Sequence, residues 1–222
     1  MTGNTLCFLN TTTDSKLAQT QLALDLSNFE QYELAYKILK PLAISGYTEG
    51  QYQFGKLLLA YPIKNNKYYD REKGLDWITK AAEKGDAYYQ HNLAMSYASG
   101  PGFADDVKGA LKSAFNWHKK AAEQGYAASQ LKVGESYMNG RVVERDVVKA
   151  YMWFELSNTR FQHSINDPNE LPAVFFQSDL IADDYISEAQ IKKAIKLAAE
   201  WEKKHPRAYK TWPIERQKLT TK

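Results

Sequence analysis

The chain has 222 residues, and 29 Lys and Arg against 26 Asp and Glu give a formal net charge of +3. With 44% hydrophobic and 13% aromatic residues, the composition excludes disorder over the whole chain and predicts a packed core. Cys7 is the single cysteine, which excludes a disulfide framework and a multi-cysteine zinc site.

The segment 1–14 is predicted to be a flexible N-terminus. It contains no basic residue before an apolar run, so it does not resemble a secretory signal peptide. No stretch of about 18 apolar residues follows, and we therefore expect no membrane span. These observations favour a cytoplasmic protein. A periplasmic location is the alternative if a signal peptide precedes the given sequence.

The next feature is an internal repeat. The segments 81–85 and 121–125 both read Ala-Ala-Glu-x-Gly, and Gly46 precedes Gly85 by nearly the same interval that separates Gly85 from Gly125. Counting from these glycines, the same offsets carry Gln51, Gln90 and Gln130, then Gly55, Ala94 and Gly134, then Leu58, Tyr97 and Tyr137. So many coincident offsets predict a tandem array of units of about 40 residues with one continuous core.

Each unit is predicted to form two helices. Its first helix places one set of residues at spacing i, i+3, i+4, i+7, as in Gln90, Leu93, Ala94 and Tyr97. The second helix repeats that spacing with a tryptophan at the second position, which predicts that Trp77, Trp117 and Trp153 lie in the core. The glycine after the double alanine suits a left-handed turn at the helix end. The aspartates that precede the second helices suit N-terminal caps; they are Asp70, Asp106 and Asp146.

The double alanine, the turn glycine, the Gln-x-x-Leu-Gly-x-x-Tyr stretch and the Asp-x-x-Lys-Ala motif together resemble the Sel1-like repeat. This resemblance implies an all-α fold, a right-handed αα superhelix or solenoid of helix-turn-helix units related to the tetratricopeptide repeat. The matching units are residues 47–84, 86–124 and 126–160. Around them we expect a degenerate capping helix pair at 15–46, an irregular segment at 161–183, a closing helix at 184–205 and a basic tail at 206–222. Pro41 departs from the pattern and predicts a kink or a new turn.

Motifs that would indicate catalysis are missing from the sequence. There is no HExxH, no phosphate-binding glycine loop and no dinucleotide fingerprint, and the four histidines are not paired at ligand spacing. His118 is expected to be packed and half-exposed. We therefore predict no catalytic residues, no metal site and no cofactor. A cell-wall or β-lactam-directed enzyme is one alternative, although the disulfides of cysteine-rich relatives cannot form here.

What remains is a binding surface. By repeat offset, residues beside the packing face of the first helices are predicted to line a concave groove. They are Gln53, Lys56, Tyr88, His91, Asn92, Met95, Ser96, Lys132, Glu135 and Ser136. The long first loop adds Tyr68 and Tyr69, since tyrosine gives a large contact area with a polar tip. A solvated face without a ligand is the competing interpretation.

The resemblance implies a non-enzymatic adaptor or scaffold, commonly bacterial, that binds a protein or peptide. An immunity or inhibitor protein that neutralises a toxin is the alternative within the binding class. We expect a monomer. We also expect no nucleic-acid partner, because the basic residues concentrate in the tail, where 203–222 carries seven Lys or Arg and one acid. The segment with Phe175 and Phe176 is interpreted either as a cover for the last repeat or as a partner-binding loop.

Overall fold

The structure, a computed structural model, describes residues 15–60, 67–99, 106–161, 173–182 and 185–206, and these residues form helices and turns without a strand. The helices of the first half are α1 Lys16–Asn28, α2 Tyr32–Ile44, α3 Thr48–Leu59, α4 Arg71–Ala82 and α5 Ala87–Tyr97. The helices of the second half are α6 Val107–Glu123, α7 Ala127–Asn139, α8 Val147–Phe161, α9 Ala173–Ala182 and α10 Glu188–Lys204. Within the described residues, no helix has the length and apolarity to cross a membrane.

The repeat residues set the helix ends as the sequence predicts. The carboxylate of Asp70 accepts a hydrogen bond from the Lys73 backbone N–H at 3.0 Å, and Asp106 and Asp146 cap α6 and α8 in the same way. The turns after α2, α4 and α6 place their glycines at positive φ, the backbone region in which a side chain is strained. Those glycines are Gly46, Gly85 and Gly125. These caps and turns give each unit its helix-turn-helix form.

The helices pack mainly on their neighbours in sequence, and their contacts divide the chain into two compact units. In the unit of α1–α4, the core includes Leu39, Phe54 and Leu58. In the unit of α5–α10, α5 packs on α6, α6 on α7 and α7 on α8, and both α9 and α10 pack on α8. The division falls after the first repeat, so the contacts form two compact units where the sequence suggests one continuous core.

The predicted helix faces are confirmed in most positions. Gln90, Leu93 and Ala94 are buried, and the second-helix position is fully buried at Ile78 and Phe154. The tryptophans are not equivalent, however: Trp153 is buried, whereas Trp77 and Trp117 are only partly buried and each has a lysine ammonium over its ring. The expectation that all three lie in the core therefore holds for Trp153 and is wrong for Trp117. Trp77 is intermediate, because it stays partly exposed but packs on the core of the first unit with its ring 5.6 Å from that of Phe54.

Two further regions differ from the sequence predictions. The helix α2 runs through Pro41 to Ile44, so of the two outcomes expected at the proline, a kink or a new turn, the new turn is wrong. Residues 173–182, inside the segment expected to be irregular, form α9, which packs on α8. Pro172 immediately precedes this helix in the sequence, a position that proline tolerates because the first helical N–H groups need no intrahelical partner. The rest of that segment, 162–172 and 183, lies outside the described residues, as do the predicted flexible N-terminus and most of the basic tail.

Candidate protein-binding site

The helices α5 and α7 are the first helices of two consecutive repeat units, and they contact each other within the second compact unit. His91 of α5 and Ser129 of α7 are 2.9 Å apart between Nδ1 and Oγ, so the two helices lie side by side. Eight of the residues predicted for the groove belong to this pair. His91 is buried, and the remaining seven are called the α5–α7 face; they are Tyr88, Asn92, Met95, Ser96, Lys132, Glu135 and Ser136.

On α5, polar side chains of the face bond to their own helix. The Asn92 amide donates to the Tyr88 carbonyl at 2.8 Å, and the Ser96 hydroxyl donates to the Asn92 carbonyl at 2.8 Å. Met95 lies between them in sequence and is 42% exposed, which makes it the most apolar exposed element of the face. These i to i−4 bonds hold the side chains in fixed rotamers.

On α7, the same geometry recurs one repeat later. The Ser136 hydroxyl donates to the Lys132 carbonyl at 2.8 Å, matching Ser96 on α5. The Lys132 ammonium lies 3.1 Å from Glu135 Oε1, and both side chains are partly buried. The face therefore presents an ion pair on one helix and an amide with an exposed thioether on the other, and the ion pair and the amide are held in place before any partner arrives.

Beneath this face lies a buried polar lock formed by His91, His118 and Ser129. The Ser129 hydroxyl is 2.9 Å from His91 Nδ1 and 3.2 Å from His118 Nδ1, and the two imidazole centroids are 5.1 Å apart. Burial lowers the pKa of His91 to about 4, with a further contribution from the Lys132 charge. Burial also lowers the pKa of His118 well below its ordinary value, and the charges of His91 and Lys132 act in the same direction. Both rings are therefore neutral at pH 7.

One hydroxyl satisfies both rings because serine can donate and accept at once. The hydroxyl donates to the Nδ1 of one imidazole, and the other imidazole donates its own Nδ1–H to the hydroxyl oxygen. Three helices, α5, α6 and α7, are thereby joined through Ser129. The polar lock is thus a neutral hydrogen-bonded group within an otherwise packed interface.

The polar lock is not among the predicted features of the sequence. The expectation that His118 is half-exposed is wrong, because its side chain is buried against α5 and α7. A signal exists in the repeat: the positions equivalent to His118 carry Ile78 and Phe154, which are fully buried. A histidine at a position that other units fill with an apolar core residue indicates a buried polar contact.

The polar lock does not provide an accessible nucleophile. Ser129 and His91 have the separation of a hydroxyl and its general base, but Ser129 has no exposed surface for a substrate to reach. Across the described part of the chain, no three His, Cys, Asp or Glu side chains converge in a way that could hold a metal ion. Cys7 lies outside the described residues.

The other predicted groove residues, Gln53 and Lys56, belong to the first unit. Gln53 is buried and donates to Glu49 Oε1 at 2.6 Å, which leaves little of its amide for a partner. Lys56 is exposed, and its ammonium lies 5.5 Å from the centroid of the Tyr52 ring. Desolvation by surrounding atoms lowers the pKa of Lys56, and the charge of Glu49 opposes this shift.

The loop residues Tyr68 and Tyr69 are partly buried. The Tyr68 ring stacks on Tyr36 with centroids 4.2 Å apart, and Tyr36 in turn meets Phe54 edge to face at 5.2 Å. Tyr68 is thus anchored to the core of the first unit. The preceding part of this loop, 61–66, lies outside the described residues.

Tandem helix pairs with a turn glycine and an aspartate cap define an αα repeat protein. Residues 49–86, 87–126 and 127–158 match the Sel1 repeat. The chain is a Sel1 repeat protein, and proteins of this family are generally protein–protein interaction modules and typically non-enzymatic scaffolds.

The solved structures that are similar to the chain include the following two. One is c5321, described as a protective antigen present in uropathogenic Escherichia coli strains displaying an SLR fold, at 27% identity and a TM-score of 0.43 over 94% of this chain. The chain spans about half of c5321, 49% of its length. The other is a Sel1 repeat protein from Oxalobacter formigenes, at 26% identity and a TM-score of 0.48, covering 64% of this chain and 95% of that one. No curated protein matches the sequence.

Proposed function

We propose that this chain is a non-enzymatic adaptor that binds a protein or peptide on the α5–α7 face. The observation that carries the proposal is the fixed geometry of that face, in which Asn92, Ser96 and Ser136 each bond to the preceding turn of their own helix. A face that is already ordered loses little conformational entropy on binding. Such a surface suits recognition of another ordered surface or an extended segment.

The composition of the face supports a protein partner. It combines the amide of Asn92, the exposed thioether of Met95 and the Lys132–Glu135 pair, with the Tyr88 ring nearby. Methionine and tyrosine adapt to apolar side chains, whereas amides and ion pairs fix the register of polar ones. The hydroxyls of the two serines are engaged with their own helices. We expect the partner contacts to come from Asn92, Met95 and Lys132, which supply the amide, the thioether and the ammonium of the face.

The polar lock explains how the two helices keep their spacing. Because Ser129 joins α5 and α7 directly, the row of Asn92 and Ser96 stays in register with the row of Lys132 and Ser136. Binding sites on rigid elements are positioned more precisely than sites on loops. The polar lock is therefore assigned a supporting role beneath the face.

The proposal is tested with a matched pair of double variants. Asn92→Ala with Lys132→Ala removes the amide and the ammonium from the face. Asn116→Ala with Lys119→Ala removes the same two residue types from exposed positions of α6. Each tagged protein is used for affinity capture from the native cell with quantitative mass spectrometry. The captured partner is then titrated by calorimetry.

A partner that binds the wild type and the α6 variant at 1:1, and that loses about tenfold in affinity with the face variant, supports the assignment. Both variants are expected to keep the wild-type melting temperature, because the positions are not in the core. If the partner binds the face variant as tightly as the wild type, the α5–α7 face is not the binding site. Turnover of a small-molecule substrate by the purified chain would contradict the non-enzymatic part.

A further inference from the structure

The first unit carries a cleft of about 400 Å³ where α1 ends and α2 begins. Its walls include Glu30, Tyr32, Glu33 and Lys37 from the turn and α2, and Lys67 and Tyr68 from the segment before α4. Glu30, Glu33, Lys37 and Lys67 line its edges, whereas Tyr32 is only 5% exposed. The cleft therefore has charged edges and an aromatic floor.

The charges in the cleft are not evenly paired. The Glu33 carboxylate lies 2.9 Å from the Lys37 ammonium and 3.3 Å from the Lys67 ammonium, so it serves both lysines. The hydrogen bonds from these lysines lower the pKa of Glu33, which keeps the carboxylate ionised. Glu30 forms no ion pair with any other described residue. Its side chain is exposed, and no lysine of the cleft pairs with its charge.

The cleft also contains a polar group for which the described residues offer no partner. Tyr32 packs its ring in the core of the first unit with Ala35 and Leu39, and its hydroxyl makes no hydrogen bond to another described residue. Burial raises the pKa of Tyr32, and the charge of Glu30 raises it further. A neutral hydroxyl and a carboxylate that line the same cleft offer two acceptors to an entering donor.

Glu30 occupies a position that the other repeat turns give to glycine. Its φ is 59°, and its N–H bonds to the Ser27 carbonyl while the Gln31 N–H reaches back to Leu26. The same pattern of backbone bonds surrounds Gly46 and Gly125. A glutamate here is strained, because its Cβ crowds the backbone in the left-handed region. The chain thus presents a carboxylate where a glycine would fold more easily.

We propose that this cleft binds a basic side chain, arginine by preference, of a protein partner, with the Glu30 carboxylate and the Tyr32 hydroxyl as its acceptors. A planar guanidinium donates two parallel hydrogen bonds to a carboxylate and has further N–H groups for a phenolic oxygen. Phe29, which precedes Glu30, is 75% exposed and gives a partner's apolar surface a place to pack beside the entering side chain. The site is separate from the α5–α7 face and belongs to the other unit.

Lys37 and Lys67 face the same cleft and oppose a cation. Their effect is limited because the Glu33 carboxylate lies against both ammonium groups and offsets part of their positive charge. The Lys67 ammonium also lies 5.2 Å from the centroid of the Tyr68 ring, so this face of the aromatic ring is already occupied by a lysine of the chain. The open carboxylate at Glu30 therefore determines where a second cation enters.

The test uses the full chain and N-acetyl-arginine amide as the probe, followed by two-dimensional NMR of the backbone amides. We expect saturable shifts for residues 30–34 and Tyr68, with a Kd in the millimolar range. Glu30→Gln removes the charge and is expected to weaken binding about fivefold without a change in melting temperature. Tyr32→Phe removes the second acceptor and weakens binding by a smaller factor. Glu72→Gln, an exposed glutamate of α4, is the matched control and leaves binding unchanged.

Glu30→Gly separates binding from folding. It relieves the strained backbone, so the melting temperature stays equal or rises by about 2 to 4 °C while the probe binds as weakly as to the glutamine variant. Unchanged probe affinity in Glu30→Gln would overturn the proposal. So would tighter binding of N-acetyl-glutamate amide at the same amides, since that result would assign the cleft to Lys37 and Lys67. Asn92→Ala with Lys132→Ala leaves this titration unchanged, which keeps the two sites distinguishable.

Discussion

Gly134 of α7 lies directly against the ring of Phe154 of α8. A Cβ added at Gly134 would stand 2.6 Å from Cδ1 of that ring, closer than carbon atoms of real side chains approach. Phe154 is fully buried and stacks on Phe176 of α9, so its ring has little space to move away from an added Cβ. The first repeat uses the same device, because Gly55 of α3 lies against Ile78 and the backbone of Gly74 in α4. Close approach at this glycine is therefore part of the packing between the two helices of a unit.

Gly134→Ala is expected to lower the free energy of unfolding by about 1 to 2 kcal/mol. Overpacking costs about 1 to 3 kcal/mol, and the better helix propensity of alanine offsets up to about 1 kcal/mol of it. The measurement is urea unfolding followed by circular dichroism. Glu135→Ala, the next residue of α7, is the control and changes stability by less than about 0.5 kcal/mol. Equal stability of Gly134→Ala and wild type would contradict the close contact. In a Phe154→Leu background the same glycine substitution should cost less.

The two later repeat tryptophans are expected to respond differently to truncation. Trp153 is buried and meets Trp201 edge to face at a centroid distance of 6.0 Å, so Trp153→Ala should cost about 3 to 5 kcal/mol. Trp117 is partly buried under the Lys120 ammonium, and Trp117→Ala should cost about 1 to 2 kcal/mol. Chemical denaturation of both variants measures the difference. Equal losses of stability in the two variants would show that Trp117 and Trp153 are equivalent, as the repeat pattern suggests.

The phenylalanines of α9 separate the two interpretations of this segment. Phe176 stacks on Phe154 with centroids 5.4 Å apart, whereas Phe175 is 54% exposed. We expect Phe176→Ala to lower stability by about 1 to 3 kcal/mol and Phe175→Ala by less than about 0.5 kcal/mol. Thermal unfolding of the two variants compares them at neighbouring positions. A loss from Phe175→Ala as large as that from Phe176→Ala would mean that both rings cover the last repeat.

Stability is expected to fall as the pH drops from about 6.5 towards 4. The unfolded chain protonates His91 and His118 near pH 6.5, whereas burial holds the folded pKa of His91 at about 4 and lowers that of His118. The unfolded state therefore binds more protons in this range, and each histidine removes up to about 1.4 kcal/mol per pH unit. Lys132, the charged group that acts on both rings, carries the same positive charge throughout the range.

The test compares urea unfolding of the wild type and His118→Leu at several pH values between 5 and 7.5. Leucine occupies the equivalent position at Leu39, so the variant is expected to fold. Its stability should depend on pH about half as steeply as that of the wild type. Three acids have lowered pKa values: Glu33, Asp70 and Asp146. Their contributions to the free energy of unfolding are lost only below about pH 4.5, so they do not change the slope measured between pH 5 and 7.5. Identical slopes for the two proteins would show that His118 titrates normally.

Much of the candidate site could be predicted from the repeat offsets. Asn92 and Lys132 occupy equivalent positions in consecutive units, and the structure places both on neighbouring first helices. The hydrogen bond from Gln53 to Glu49 and the burial of both side chains could not be predicted in this way. An offset gives the direction of a side chain on its helix, whereas its exposure depends on how closely other helices pack around that point.

The sequence by itself determined the type of fold, because helix-period faces, turn glycines and aspartate caps are local signals that act within one or two turns. Only the tertiary structure showed that His91, His118 and Ser129 meet, that Trp153 is more deeply buried than Trp117, and that Tyr32 and Glu30 share a cleft with Lys67. These relationships join residues from different helices or segments. They depend on interhelical distances of a few ångströms, which periodicity leaves open and packing decides.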